Sequence, residues 1–259
     1  MSSANGFPPR PTAEGLGPGL VTGAVPLVVG VLLTADRPEM TRRAIRSFGA
    51  QTYENKRLLI FDSGAQYFSA ALRHNVFYQH CEIPGLTIGT LRNLAVGICK
   101  AADIIAHFDS DDWSHPRRIE EQVALLQSSG ADAVGYNDML FAEENGAAWW
   151  YSHGYPRYAL GASLCYWRKS WERVKFAEMR EQGLDDKLNG EDSVWLRSGI
   201  NCVVVKCWRD DIGFDPRMIC GLHAGNSSSH ILPDNDQWKR VPEWDDYCRK
   251  KMEVKNVNV

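Results

Sequence analysis

No apolar run in this chain approaches the roughly 18 residues that a membrane-spanning helix needs. The longest, PLVVGVLL at 26–33, has the length of a buried strand. Neither sign of charge dominates: 29 Lys and Arg against 32 Asp and Glu leave a formal net charge of -3. That balance argues against broad, non-specific attachment to nucleic acid or an anionic membrane. The seven cysteines are odd in number and form no CxxC pair, so the expected state is buried free thiols in a reducing cytosol. The N-terminal stretch MSSANGFPPRPTAEGLGPGLVTGAVP lacks the cationic start and apolar block of a secretory signal. Internal repeats are also missing.

What is present is an ordinary globular composition, 44% hydrophobic and 24% charged over 259 residues, which suffices for a sizeable core. Residues 1–25, rich in Gly, Pro and Ser, are expected to form a flexible arm, 26–232 one α/β domain, and 233–259 a C-terminal helix and tail. LVVGVLLT (27–34) reads as a strand covered on both faces, and PEMTRRAIRSFGAQ, opened by Pro38, as a helix. RLLIFDSG (57–64) is a second buried strand ending in Asp62, and 65–86 read as a loop. TIGTLRNLAVGICKA (87–101) is a helix, DIIAHFD (103–109) a third strand, and HPRRIEEQVALLQSSG (115–130) a helix between Pro116 and Gly130.

That alternation implies a largely parallel sheet with right-handed crossovers. Ligands on such sheets bind beyond the carboxyl ends of the strands, where Thr34, Asp62 and Asp109 fall. The second half reads as mixed. ADAVGYNDMLFAEENGAAWWYS suggests two strands about Asn145-Gly146, CVVVKCW (202–208) a strand, PEWDDYCRKKM a helix, and EVKNVNV a frayed end.

The chemistry concentrates at HFDSDDW (107–113). It crowds Asp109, Asp111 and Asp112 at a strand end, where their charges repel. Carboxylate oxygens are hard ligands for Mg2+ or Mn2+, and a cation shared with phosphate oxygens would relieve that repulsion. The plainer alternative is a solvated turn capping the next helix. A second acidic pair, Glu191-Asp192 in GED (190–192), precedes the short helical pattern SVWLRSG, where Asp192 could be an N-cap.

Taken in order, LLTADR, LLIFDSG, IGTLRNLA, HFDSDDW, GASLCYWR, GED and GLHAGNSS (221–228) give the chain a likeness from about Pro26 to about Ser229. It resembles the family 2 glycosyltransferases, nucleotide-sugar-dependent enzymes of the GT-A fold. The resemblance implies a Rossmann-like, largely parallel sheet flanked by helices, with a mixed acceptor half.

It also implies roles. Thr34 and Arg37 would line the nucleotide pocket, and Asp62 would accept from the base, commonly uracil; its alternative is a cap on the following turn. Arg92 would reach the nucleotide, and Asp109 would bind the ribose or donor sugar hydroxyls. Asp111 would hold the Mn2+ or Mg2+, with Asp112 behind it. His223 would complete the metal shell, or be a loop histidine bonded to backbone, and the GNSS after it could meet phosphate. Asp192 would be the general base of an inverting transfer, and Glu191 would orient the acceptor.

The implied donor is a nucleotide-sugar, a UDP-sugar first. The acceptor stays open: a glycan, a lipid-linked sugar, a protein side chain or a modified DNA base. Arg117, Arg118, Arg168 and Lys169 could form a small basic groove for the last of these. Trp149, Trp150, Tyr151, Tyr155, Tyr158, Tyr166 and Trp167 are equally acceptor wall or core. Neither membrane anchor nor extra domain is evident, and a cytoplasmic setting is expected. Two other classes remain in view. A nucleotidyltransferase would usually show a Gly-rich basic loop after the first strand, and LLTADRPEM has no glycine there. A non-catalytic nucleotide- or sugar-binding module would have little need of both acidic motifs.

Overall fold

The computed structural model describes residues 25–68, 74–155, 158–178, 190–208, 215–223 and 236–253. The N-terminal arm, the GNSS stretch, the boundary expected at 232/233 and the last six residues lie outside them.

Continuous apolar runs build the first half as their composition dictates. Strand β1 (Val28–Thr34) pairs in parallel with β2 (Lys56–Asp62) and with β4 (Ile104–His107), and β2 pairs in parallel with β3 (Val76–His80). The β1–β2 register sets Thr34 opposite Asp62, so two of the expected site positions meet at one edge. Alternation along β1 feeds two cores. Val28 and Leu32 pack with Phe48, Ile104 and Ile119 on one face. Val29 and Val31 pack with Leu91, Ile105, Tyr166 and Trp195 on the other.

Helices α1 (Pro38–Gly49) and α3 (Arg118–Ser129) contribute to the first core. Helices α2 (Ile88–Ile98) and α5 (Glu191–Arg197) contribute to the second. Pro38 opens α1, Thr87 caps α2 by accepting from the Thr90 N–H, and Gly130 ends α3 with a left-handed φ of 67°.

The full first sheet runs β10-β6-β9-β4-β1-β2-β3. It takes in β6 (Ala133–Tyr136), β9 (Cys165–Trp167) and β10 (Cys202–Val205). β9 lies antiparallel between β4 and β6, directly before the short helix α4 (Arg168–Arg173). A second sheet, β12-β8-β7-β11-β5, joins β7 (Asp138–Glu143), β8 (Ala148–Ser152), β11 (Met218–Leu222), β12 (Trp238–Arg240) and the two-residue β5 (Trp113–Ser114). Helix α6 (Asp245–Met252) covers it, with Cys248 packed among Leu140, Ala142 and Ile219.

Several expected boundaries move. The span read as a loop after the second strand contains β3. The stretch 131–152 supplies three strands rather than two, because Ala133–Tyr136 joins the first sheet while the Asn145-Gly146 hairpin builds the second. The strand expected at 202–208 stops at Val205, and Cys207 is buried beyond it. All seven cysteines are free thiols. Among the described residues no helix is long and apolar enough to cross a membrane.

Candidate active site

The loops after β1 and β2 meet at one edge of the first sheet. Thr34 is buried, its hydroxyl hydrogen-bonded to that of Thr41 at 2.7 Å. Asp36 adopts a left-handed φ of 52°, and its carboxylate accepts the Ala65 and Gln66 N–H groups at 3.0 and 3.1 Å. Those two N–H groups hold the Asp36 pKa below the usual carboxylate value. Asp36 thus ties the two strand-end loops together.

Asp62 is buried and engaged on both oxygens: Oδ1 accepts the Gly64 N–H and Oδ2 the Tyr78 hydroxyl, each at 2.9 Å. It caps its own turn, the plainer of its two readings, while a carboxylate retains lone pairs for a further donor.

The three carboxylates of the acidic cluster diverge, although their mutual repulsion persists. Asp109 turns toward α2, where the two terminal nitrogens of Arg92 lie 3.5 Å from its two oxygens. Asp111 turns the other way: its Oδ2 is 3.1 Å from His223 Nε2 and 3.8 Å from Arg37 Nη1. Asp112 points inward. Its Oδ1 accepts the Gly221 N–H at 3.3 Å, and the Cys220 thiol also hydrogen-bonds to the carboxylate. Burial, reinforced by Asp111 and Asp109, raises its pKa well above the ordinary range. Burial also raises Asp109, with Arg92 opposing and Asp111 adding to the rise.

Backbone packing fixes this divergence. β5 pairs with β11, and a Cβ at Gly221 would lie 2.5 Å from the Asp111 carbonyl oxygen. Arg43 donates to that same carbonyl at 2.5 Å and to the Met252 carbonyl at 2.8 Å. Among the described residues no group of three His, Cys, Asp or Glu side chains is arranged as a metal shell. The pair that could hold a cation is Asp111 and His223.

The second acidic pair stands on the first turn of α5, joined to Asp109 through Arg92. The N-cap of α5 is Gly190, so Asp192 is not the capping residue. Glu191 Oε1 accepts from Arg92 Nε at 2.9 Å. Asp192 Oδ1 accepts the Ser193 N–H at 2.7 Å, and Oδ2 rests against Gly161, where a Cβ would come within 2.2 Å of it. Burial, with Glu191 beside it, pushes the Asp192 pKa up to about 6.

Gly161 is itself held from beneath. His107 is fully buried, with Nδ1 2.7 Å from the Gly161 carbonyl and Nε2 3.3 Å from the Tyr166 hydroxyl. Burial, aided by Arg92 and Arg118, drops the His107 pKa well below its ordinary value. The ring is therefore neutral, and the nitrogen facing the carbonyl carries the proton.

Arg118 is a correction to the basic groove expected of Arg117, Arg118, Arg168 and Lys169. Arg118 is completely buried, donating to the His107 carbonyl at 2.9 Å, the Ala162 carbonyl at 3.2 Å and the Ser114 hydroxyl at 2.9 Å. Arg168 pairs with Glu172, and Arg117 lies against Glu120 and Glu121. The aromatic set divides likewise. Tyr166 is core, Trp149 donates to Glu143 at 2.7 Å, and Tyr155 is exposed. Tyr158 stacks on His153 at 3.8 Å and reaches the Ser193 hydroxyl at 3.4 Å, which places it beside Asp192.

Sequence reasoning missed Asp36, Arg43, His107 and Gly161. Asp36, His107 and Gly161 lie inside the motifs LLTADR, HFDSDDW and GASLCYWR, so a signal was present. The partners of Arg43 and Gly161 are long-range contacts that no local pattern encodes.

Comparison with known proteins gives a consistent picture. The family model described as Glycosyl transferase family 2 matches residues 31–189. The O-antigen biosynthesis glycosyltransferase WbnJ of Escherichia coli is 31% identical over 165 residues, 60% of this chain and 64% of that protein. The chain thus spans just under two thirds of that relative. Among solved structures, S. aureus TarS 1-349 in complex with UDP-GlcNAc superposes with a TM-score of 0.55 at 13% identity, over 78% of this chain and 61% of that one. Its complex with UDP gives 0.53 at 12% identity, over 75% and 60%. At such identities the structural likeness speaks to fold alone, and it is the GT-A fold that these sheets and helices form.

Proposed function

The chain belongs to glycosyl transferase family 2 and is a glycosyltransferase, and on that premise we propose that it moves a sugar from a UDP-sugar to an acceptor hydroxyl in a single, inverting displacement with Asp192 as base. The observation that carries this reading is the placement of Asp192. It is a half-buried carboxylate with a pKa near 6, one oxygen seated on Gly161, on a helix joined through Glu191 and Arg92 to Asp109 beyond β4.

In the proposed step, Asp192 takes the proton of the acceptor hydroxyl as its oxygen bonds to the anomeric carbon. The bond from that carbon to the diphosphate oxygen breaks with its electron pair. Positioned proton transfer of this kind contributes on the order of 10²–10⁴ in rate. Thr34, Arg37 and Asp62 line the nucleotide side, Asp109 meets ribose or donor sugar hydroxyls, and Arg92 acts there through Asp109. A UDP-sugar is taken first as donor; S. aureus TarS, a protein of like fold, is known in complex with UDP-GlcNAc.

Asp111 and His223 fit a divalent cation. An oxygen and an imidazole nitrogen 3.1 Å apart have about the separation of neighbouring ligands in an octahedral shell with bonds of ~2.1 Å. Bound there, Mn2+ or Mg2+ would neutralise charge developing on the leaving diphosphate. The free thiols support a reducing, cytoplasmic setting.

A thermal-shift panel of UDP-, GDP-, dTDP- and CMP-sugars with Mn2+ tests the donor. The true donor stabilises the fold by about 2.7 kcal/mol at a hundred times its dissociation constant. Turnover should then release UDP. Release of pyrophosphate would mean nucleotidyl transfer, and binding without turnover a binding module.

A further inference from the structure

The guanidinium of Arg92 faces protein on both sides. The side chain is 6% exposed, with Nε 2.9 Å from Glu191 Oε1 and its two terminal nitrogens each 3.5 Å from an Asp109 oxygen. We infer that Arg92 is a positioning residue that clamps Glu191 to Asp109 and thereby sets the electrostatic environment of Asp192. The inference rests on Asp192 being the base, and it goes beyond the donor-side place given to Arg92 above.

The clamp is built on a fixed frame. Asn93, next to Arg92, donates to the Phe176 carbonyl and accepts from the Phe176 N–H and Trp171 Nε1, all at 3.0 Å. Trp195 of α5 donates to the Val174 carbonyl at 2.8 Å. Helices α2 and α5 are therefore both fastened to the segment 174–177. Gly89 brings α2 closer still, since a Cβ there would fall 1.8 Å from the Ala177 carbonyl oxygen. With both helices tied to one segment, the Arg92 fork has little freedom to leave its carboxylates. Glu191, in turn, is held by Arg92 on its Oε1.

Among the described residues, three ionisable groups face Asp192: Glu191 on its own turn, Arg92 from α2 and Tyr158 from the segment before Gly161. Glu191 opposes ionisation of Asp192 and Arg92 favours it. Burial sets the raised proton affinity of the base, and the two opposed charges trim it up and down from there, into the range where general-base catalysis near neutral pH is efficient.

The test is a carbon NMR titration of protein labelled at the aspartate carboxyls, with the Asp192 resonance assigned by its loss in Asp192→Asn. The same variants are followed in the acid limb of kcat/KM with a UDP-sugar. Glu191→Gln should lower the Asp192 midpoint by roughly half to one pH unit, and Arg92→Gln should raise it by a similar amount. The double variant should fall between them. A midpoint unmoved by Glu191→Gln overturns the inference even if Arg92→Gln does not fold. A midpoint that moves as expected in a protein that transfers no sugar would leave the clamp standing and remove the catalytic reading.

Discussion

His223 Nε2 lies 3.1 Å from Asp111 Oδ2, across 112 positions of sequence. The contact exists because β11 delivers His223 from its end while pairing with β5, which follows Asp111 and Asp112 directly. Two distant motifs thus converge on one point, and that point faces Arg37 and the end of β1.

This convergence predicts a cation requirement. His223→Ala should weaken UDP binding in the presence of Mn2+ by at least on the order of 10-fold, an effect that even outer partners of metal ligands produce. Chelation should weaken binding to the wild type and change it little in Asp111→Asn. Titration calorimetry of UDP with and without Mn2+ checks this, and indifference of the wild type to the ion would contradict it.

With Asp192 as the proposed base, Gly161→Ala should impair transfer without unfolding the protein. The new methyl would fall 2.2 Å from Asp192 Oδ2 and force the carboxylate from its seat. Turnover should drop by about 10²-fold, the size expected of a misplacement near 1 Å, while donor binding stays near wild type. Steady-state kinetics alongside donor affinity separates the two.

The fold was legible where the chain is apolar and local. The continuous runs at β1, β2 and β4, the Pro38 start of α1 and the Gly130 end of α3 are written in adjacent residues. β3, β9, β11 and β12 were not legible, because they are short and, unlike the equally short β4, do not fall between two clear helical patterns. Their existence depends on long-range pairing. The site divides in the same way. The motifs place Asp109, Asp111 and Asp192 at element ends, but which way each carboxylate turns depends on Arg92, His223 and Gly161, far away in sequence. Arg118 shows the reverse error: a cation read as surface groove is buried because Gln122 of its own helix, Ser114 of β5, His107 of β4 and Ala162 converge on it as hydrogen-bond partners.

Arg118→Met should therefore destabilise the fold strongly. It would strip donors from the buried His107 carbonyl and the part-buried Ala162 carbonyl, and a buried acceptor left unsatisfied costs about 1–3 kcal/mol. A loss of roughly 3 kcal/mol or more in urea unfolding is expected, and the damage should extend to activity through the Gly161 turn.

Asp132 should contribute an acid-sensitive part of stability. Burial opposes its ionisation, but Arg173, the Asn201 N–H and Ser170 outweigh that and lower its pKa. A carboxylate with a depressed folded-state pKa stabilises the fold above its ordinary value of 3.8 and loses that contribution as pH falls through the folded-state pKa. Asp132→Asn should lower Tm near pH 7 and narrow its difference from wild type as pH falls below the ordinary carboxylate range. Calorimetry across pH checks the sign.

The most direct test of the central claim is single-turnover sugar transfer by Asp192→Asn at saturating donor, above pH 6, where the wild-type carboxylate is ionised. The account predicts donor affinity near wild type with transfer slowed by about 10²–10⁴-fold. An Asp192→Asn protein that transfers sugar at close to the wild-type rate would contradict it.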